Sequence, residues 1–243
     1  HRGPDPQKVL QFDLAIYDES VLAPRRALVF HSGEPERLVQ SVIGQFDHTI
    51  TLPLARTFRP FREPYVEQVI RTVSRENALF SLATALPDII PSVIELPWAA
   101  TEFASDTAIL TANQIKMAFL IAAASDREMG YREQKKEIAT VIGSAFGWRA
   151  IARQLVGKIP LGGGLIPKAA IAYSATKLIG LSLDRLYRIG YGYTRQERKD
   201  VYEDALAQGR HVAQTVLKKM RPDLAAKHAS TEYTENEHLR SRG

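Results

Sequence analysis

The sequence predicts a mainly α protein: a multi-helix bundle with a small mixed α/β unit at its N-terminus. Three observations lead there. Beyond Pro64, apolar residues recur every three or four positions through most of the chain, the spacing of one helical face. Residues 107–189 are strongly apolar, yet Asn113, Gln114, Lys116, Arg149, Arg153, Lys158, Lys168 and Lys177 interrupt each run before it grows long. Strand formers concentrate near the start, in VLQFDLAIY (9–17) and RALVF (26–30), each bounded by turn residues.

Taken in order, residues 1–55 read as a β-β-α unit. Its helix follows Ser32, with Glu34-Pro35-Glu36 as a helix start and Leu38, Val42, Ile43 and Phe46 on one face. The stretch PLARTFRPFREP (53–64) holds three prolines and three arginines, which predicts an extended linker over 56–64. A helical domain then spans 65–222. Val66, Val69, Ile70, Val73, Asn77, Phe80 and Ala83 form the stripe of a first helix over 64–86, with Asn77 its single polar member. Pro87, Pro91 and Pro97 break the next stretch into short pieces. Asp106 or Thr107 caps a helix reaching about Ser125, and Tyr131–Gly143 reads as another. Pro160–Pro167, with its triple glycine, is a turn, and Pro167 opens a helix over 167–189. Gly190-Tyr-Gly192 breaks the chain before a last helix over 195–220, whose stripe is Tyr202, Ala205, Leu206, Gly209, Val212, Val216 and Met220. The tail, 223–243, is polar and aperiodic. No internal repeat is visible.

The totals narrow the chemistry. The 243 residues hold no cysteine, which removes disulfides, thiolate nucleophiles and Cys-ligated metal centres and fits a reducing compartment. A net charge of +5 and a pI near 9.4 are mildly basic, short of the Lys/Arg density of a nucleic-acid binder. They fit a solvated surface or an anionic partner such as lipid headgroups or a phosphate. The first residue is His, which predicts processing or an upstream segment, and HRGPDPQKVLQFD has no apolar signal core.

A membrane-spanning helix needs about 20 apolar residues. The longest charge-free stretches, Asn77–Pro87 and Ile138–Trp148, have eleven each. Residues 159–183 are long enough only with Lys168 and Lys177 inside, and these two point to opposite helical faces. Lys177 and Asp184, seven apart, can share a face and pair. A helical core with a lipid-facing apolar surface is the expectation, with localisation in the cytoplasm or peripherally at the inner membrane. Trp98 is either a core aromatic or an interfacial anchor.

Catalytic motifs are missing. Gly157-Lys158 lacks the rest of a phosphate loop, and the glycines at 162–164 lack both a preceding strand and the final glycine of a dinucleotide fingerprint. The histidines at 1, 31, 48, 211, 228 and 238 have no metal-ligand spacing. His31-Ser32-Gly33 is not a nucleophile elbow. No cofactor, metal or nucleic acid is expected.

Two polar groups stand out. Arg149 and Arg153 are four apart on one predicted helix face, with Lys158 beyond. Paired guanidiniums can grip a phosphate or partner carboxylate, or staple helices through Asp106, Glu128 or Glu137. Asn113, Gln114 and Lys116 sit in an apolar helix, where they serve interhelical hydrogen bonding or line a polar pocket.

The segments TANQIKMAFLIAAA, ATVIGSAFGWRAIARQLVGKIPLGGGLIPKAAIAYSATKLIG and ENALFSLATALPDIIP carry a likeness over about 74–190. They resemble a bacterial helical domain family of unknown function that often accompanies an Era-like GTPase module. The resemblance implies a helical, often membrane-associated module whose partner hydrolyses nucleotide, and it brings no catalytic residues. Fused members carry the GTPase part; residues 1–55 hold no nucleotide motif.

Two functions are therefore weighed. The first is a non-enzymatic interaction module that docks a GTPase partner or a membrane surface, with Arg149, Arg153 and Lys158 tuning attraction to acidic groups. The second is a carrier that holds an apolar small molecule within the bundle, with Asn113, Gln114, Lys116, Tyr173 and Lys177 around its polar end. A hydrolase is disfavoured because no nucleophile–base pair is evident. A homo-oligomer is compatible with either.

Overall fold

The computed structural model describes residues 13–25, 27–84, 106–127, 132, 135–136, 139 and 165–220. The protein is a mainly α multi-helix bundle with a small two-stranded sheet near its N-terminus. In order, the described elements are β1 (Ile16–Asp18), β2 (Leu28–Phe30), α1 (Pro35–Gln45), α2 (His48–Thr57), α3 (Arg59–Ala83), α4 (Asp106–Ala124), α5 (Leu165–Ile189) and α6 (Arg195–Met220). The chain divides into two compact units: His1–Val69 with Phe119–Met129, and Ile70–Ala118 with Gly130–Gly243.

In the first unit β1 and β2 pair in parallel, Ile16 opposite Leu28 and Asp18 opposite Phe30. Glu19 fastens their ends. Its carboxylate accepts from the Ser32 amide at 3.1 Å and the Ser32 hydroxyl at 2.6 Å, and it pairs with His31 Nδ1 at 3.1 Å. Ser32 is therefore not the cap of α1. Glu34 holds that position without a side-chain bond, and Pro35 opens the helix, where a missing N–H has no consequence. Val39, Val42 and Ile43 are the buried face.

The extended linker expected over 56–64 is instead helical, apart from one extended residue, Phe58, between α2 and α3. Pro60 falls in the first turn of α3, where backbone N–H groups have no helical acceptor. Pro53 and Pro64 each forfeit only one internal bond. Asp47 caps α2 by accepting from the Thr49 amide at 2.9 Å, worth about 1 kcal/mol. Buried Tyr65 of α3 meets His48 of α2 edge-on, with its hydroxyl 3.1 Å from Nδ1. At the end of α4, Asp126 adopts a left-handed φ of 57°. The Arg127 amide bonds back to Ala122 and the Asp126 amide to Ala123, the pairing of a Schellman end. Arg56 Nε holds the Asp126 carboxylate at 2.9 Å.

The second unit is built on the predicted stripes. From Ile70 onward the apolar stripe positions of α3 are buried, as are the corresponding stripe positions Val66 and Val69 in the first unit. α5 and α6 are joined by the short break at 190–194. Gly190 ends α5 in a left-handed conformation, φ 84°, which glycine adopts without penalty. Ala78, Leu82, Ile166, Ala169, Tyr173, Ala213, Val216 and Leu217 form the apolar core of α3, α5 and α6. Gly209 lets α6 approach α5 closely: a Cβ there would lie 2.8 Å from the Ala170 carbonyl oxygen.

Candidate functional site: a buried amide network

Three helices of the second unit bring polar side chains together in the interior. Asn77 of α3 is fully buried. Its Nδ2 donates to Thr176 Oγ1 of α5 at 2.9 Å and, at 3.4 Å, toward the Leu110 carbonyl of α4. Its Oδ1 accepts from Asn113 Nδ2 of α4 at 2.8 Å. Gln114 Nε2, also on α4, donates to the same Thr176 oxygen at 3.1 Å. Buried polar groups of this kind must find one another, because each unpaired one costs about 1–3 kcal/mol. Two atoms at the cluster have no partner among the described residues: Gln114 Oε1 and, one turn before Asn77, Ser74 Oγ.

Close helix approach makes the network reachable. One turn beyond Thr176, a Cβ on Gly180 would lie 2.7 Å from Ile70 Cγ1 and 3.1 Å from Met117 Sδ. Side chains as short as Asn and Thr then span the interhelical gap.

The expected polar residues divide. Asn113 and Gln114 enter the network. Lys116 is exposed, and its charge partly offsets the burial that raises the Glu76 carboxyl above its usual range. Tyr173 is buried in the apolar core of α3, α5 and α6, where burial pushes its phenol up while Arg71 pulls it down. Lys177 donates to Gln208 Oε1 of α6. Asp184 is bonded by Arg188 at 2.9 Å. Arg149, Arg153, Lys158 and Trp98 lie outside the described residues.

Two features were not singled out from sequence. Thr176 sits among alanines and a serine, and its small neighbours were the available sign of close packing. The second is Thr194-x-x-Glu197, a capping-box spacing. The Thr194 amide donates to Glu197 Oε2 at 2.8 Å, and the Glu197 amide donates to Thr194 Oγ1 at 3.3 Å. These bonds hold the Glu197 carboxyl below its ordinary range, assisted by Arg185. Arg185 bonds Glu197 at 3.0 Å and lies over the rings of Tyr193, at 4.6 Å, and Tyr191, at 5.5 Å.

Chemically, the amide network holds neutral donors and acceptors and no group that exchanges a proton near pH 7; it suits fixing helix register. The Ser32–Glu19–His31 cluster binds the serine hydroxyl to the carboxylate rather than to the imidazole, whereas an activated serine needs the base on its own hydroxyl. No group of three or more His, Asp or Glu among the described residues could hold a metal. No helix among the described residues is long and apolar enough to cross a membrane. No family model, curated protein or solved structure matches the chain.

Proposed function

We propose that the protein is a non-enzymatic interaction module that acts by docking its outer surface on an anionic membrane surface. One observation carries this reading: the buried polar side chains of the α3–α4–α5 network are neutral, while Arg195 and Arg198 are exposed and add charge beyond the Arg188–Asp184 and Lys199–Glu203 ion pairs. The charge available for recognition lies outside. The net +5 of the chain has the matching sign, and each cation near an anionic bilayer contributes about 1 kcal/mol.

Co-sedimentation of the full chain with phosphatidylserine vesicles tests this. Binding at low salt that weakens at high salt supports it. Failure to sediment at low salt contradicts it and moves weight to an acidic protein partner, with an Era-like GTPase, the companion in the family resembled, as the first to try. A carrier is the second reading, favoured by the orphaned Gln114 Oε1 and Ser74 Oγ, which a ligand's polar end would satisfy. Native mass spectrometry of the purified chain, showing bound mass lost on solvent extraction, would support it.

A further inference from the structure

We infer that the end of the α5–α6 hairpin is the membrane-contact element, seated on anionic lipid headgroups; this rests on the docking reading above. Ile189 and Tyr191, 50% and 61% exposed, are two of the large apolar side chains left open to solvent among the described residues. They stand at the end of α5 and in the five-residue connection to α6. Around them, between Asp184 and Lys199, five cations (Arg185, Arg188, Arg195, Arg198, Lys199) face two carboxylates (Asp184, Glu197). Asp200, Glu203 and Asp204 follow along α6, where Lys199 pairs with Glu203 at 3.8 Å, as Arg188 pairs with Asp184 and Arg185 with Glu197 nearer the tip; the positive excess at the tip therefore rests on exposed Arg195 and Arg198.

The geometry fits a bilayer better than a protein. A stable protein interface covers about 800 Å² on each partner, far more than two apolar side chains at a helix end supply. A lipid surface needs no complementary shape, and tyrosine favours the headgroup level, with its ring in the apolar layer and its hydroxyl in water. Arg185, stacked on Tyr191 and Tyr193 and bonded to Glu197, holds the connection in place. The tip is thus presented ready-formed.

Because the chain lacks cysteine, a Gly192→Cys variant carries one environment-sensitive label at a position with open space around it. The labelled full chain is mixed with phosphatidylserine vesicles, phosphatidylcholine vesicles and polyglutamate. The expected result is a blue shift with phosphatidylserine alone. Each cation removed lowers partitioning about five-fold, so Arg195→Glu with Arg198→Glu lowers it at least about 25-fold. Tyr191→Ala weakens binding and Tyr191→Trp restores it, with helicity by circular dichroism unchanged throughout. Sedimentation of the wild-type chain without a label shift, and with variants bound as tightly, overturns this surface and leaves the docking reading standing. A shift with polyglutamate but not vesicles overturns the lipid assignment. No vesicle binding by the wild-type chain overturns both.

Discussion

Replacing Asn77 by Ala removes a side chain that bonds to both other helices of the amide network. Asn113 Nδ2 then loses its 2.8 Å acceptor at a position only 8% exposed. An amide left unpaired there costs about 1–3 kcal/mol, and the space vacated by a fully buried side chain adds about 1–2 kcal/mol. Gln114 still donates to Thr176, so the remainder survives. The expected loss is about 2–5 kcal/mol, read as a lower urea midpoint at unchanged m-value. Asn113→Ala orphans Asn77 Oδ1 instead. Because the two changes break the same bond, the double variant loses at least about 1 kcal/mol less than the sum. Additivity within about 0.5 kcal/mol would refute the claim that these amides form one unit.

Other consequences are equally direct. Gly209→Ala sets a Cβ 2.8 Å from a backbone oxygen of α5 and should destabilise by about 1–3 kcal/mol, whereas Gly44→Ala, with open space around it on α1, should stabilise by up to about 1 kcal/mol through helix propensity. Thermal or urea unfolding separates the pair. Thr194→Ala should cost about 1 kcal/mol through the lost cap of α6 and lower the same midpoints. Glu19 and Glu197 are held below the ordinary value of 4.5, Glu19 by the bonds from Ser32 and then His31, Glu197 by those from Thr194 and then Arg185. Their stabilisation is therefore complete above that value and lost as pH falls through the lower folded values; Glu19→Gln with Glu197→Gln should flatten this acid limb in denaturation measured against pH.

Periodic features were legible in the sequence. The stripe of α3, the breaks at Gly190 and after β2, and the extents of α5 and α6 followed from apolar spacing and turn residues, since those patterns are local; the α6 stripe was legible only in part, because Ala213 and Leu217, both fully buried, lie outside the predicted positions. The prolines at 53, 60 and 64 misled, because their effect depends on whether they fall in a first turn or an interior. Ser32 misled for a tertiary reason: Glu19, thirteen residues earlier, took its hydroxyl before α1 could. Of the candidate site, the amides of Asn113 and Gln114 announced themselves by sitting in an apolar helix. Asn77 also stood out, as the single polar member of its stripe, but its pairing with Thr176 did not, because the two are separated by 99 residues and meet only once α3 and α5 pack. Tyr173 and Lys177 turn to α6 for the same reason: a sequence places a residue on a helix face but does not say which neighbour that face meets.

On the proposed reading the molecule works by outward charge and apolar contact on an anionic surface. The most direct measurement is the partition coefficient of the full chain on vesicles as the phosphatidylserine fraction rises from zero. A steep rise that added salt suppresses is the predicted result; a coefficient that stays flat across that range would contradict it.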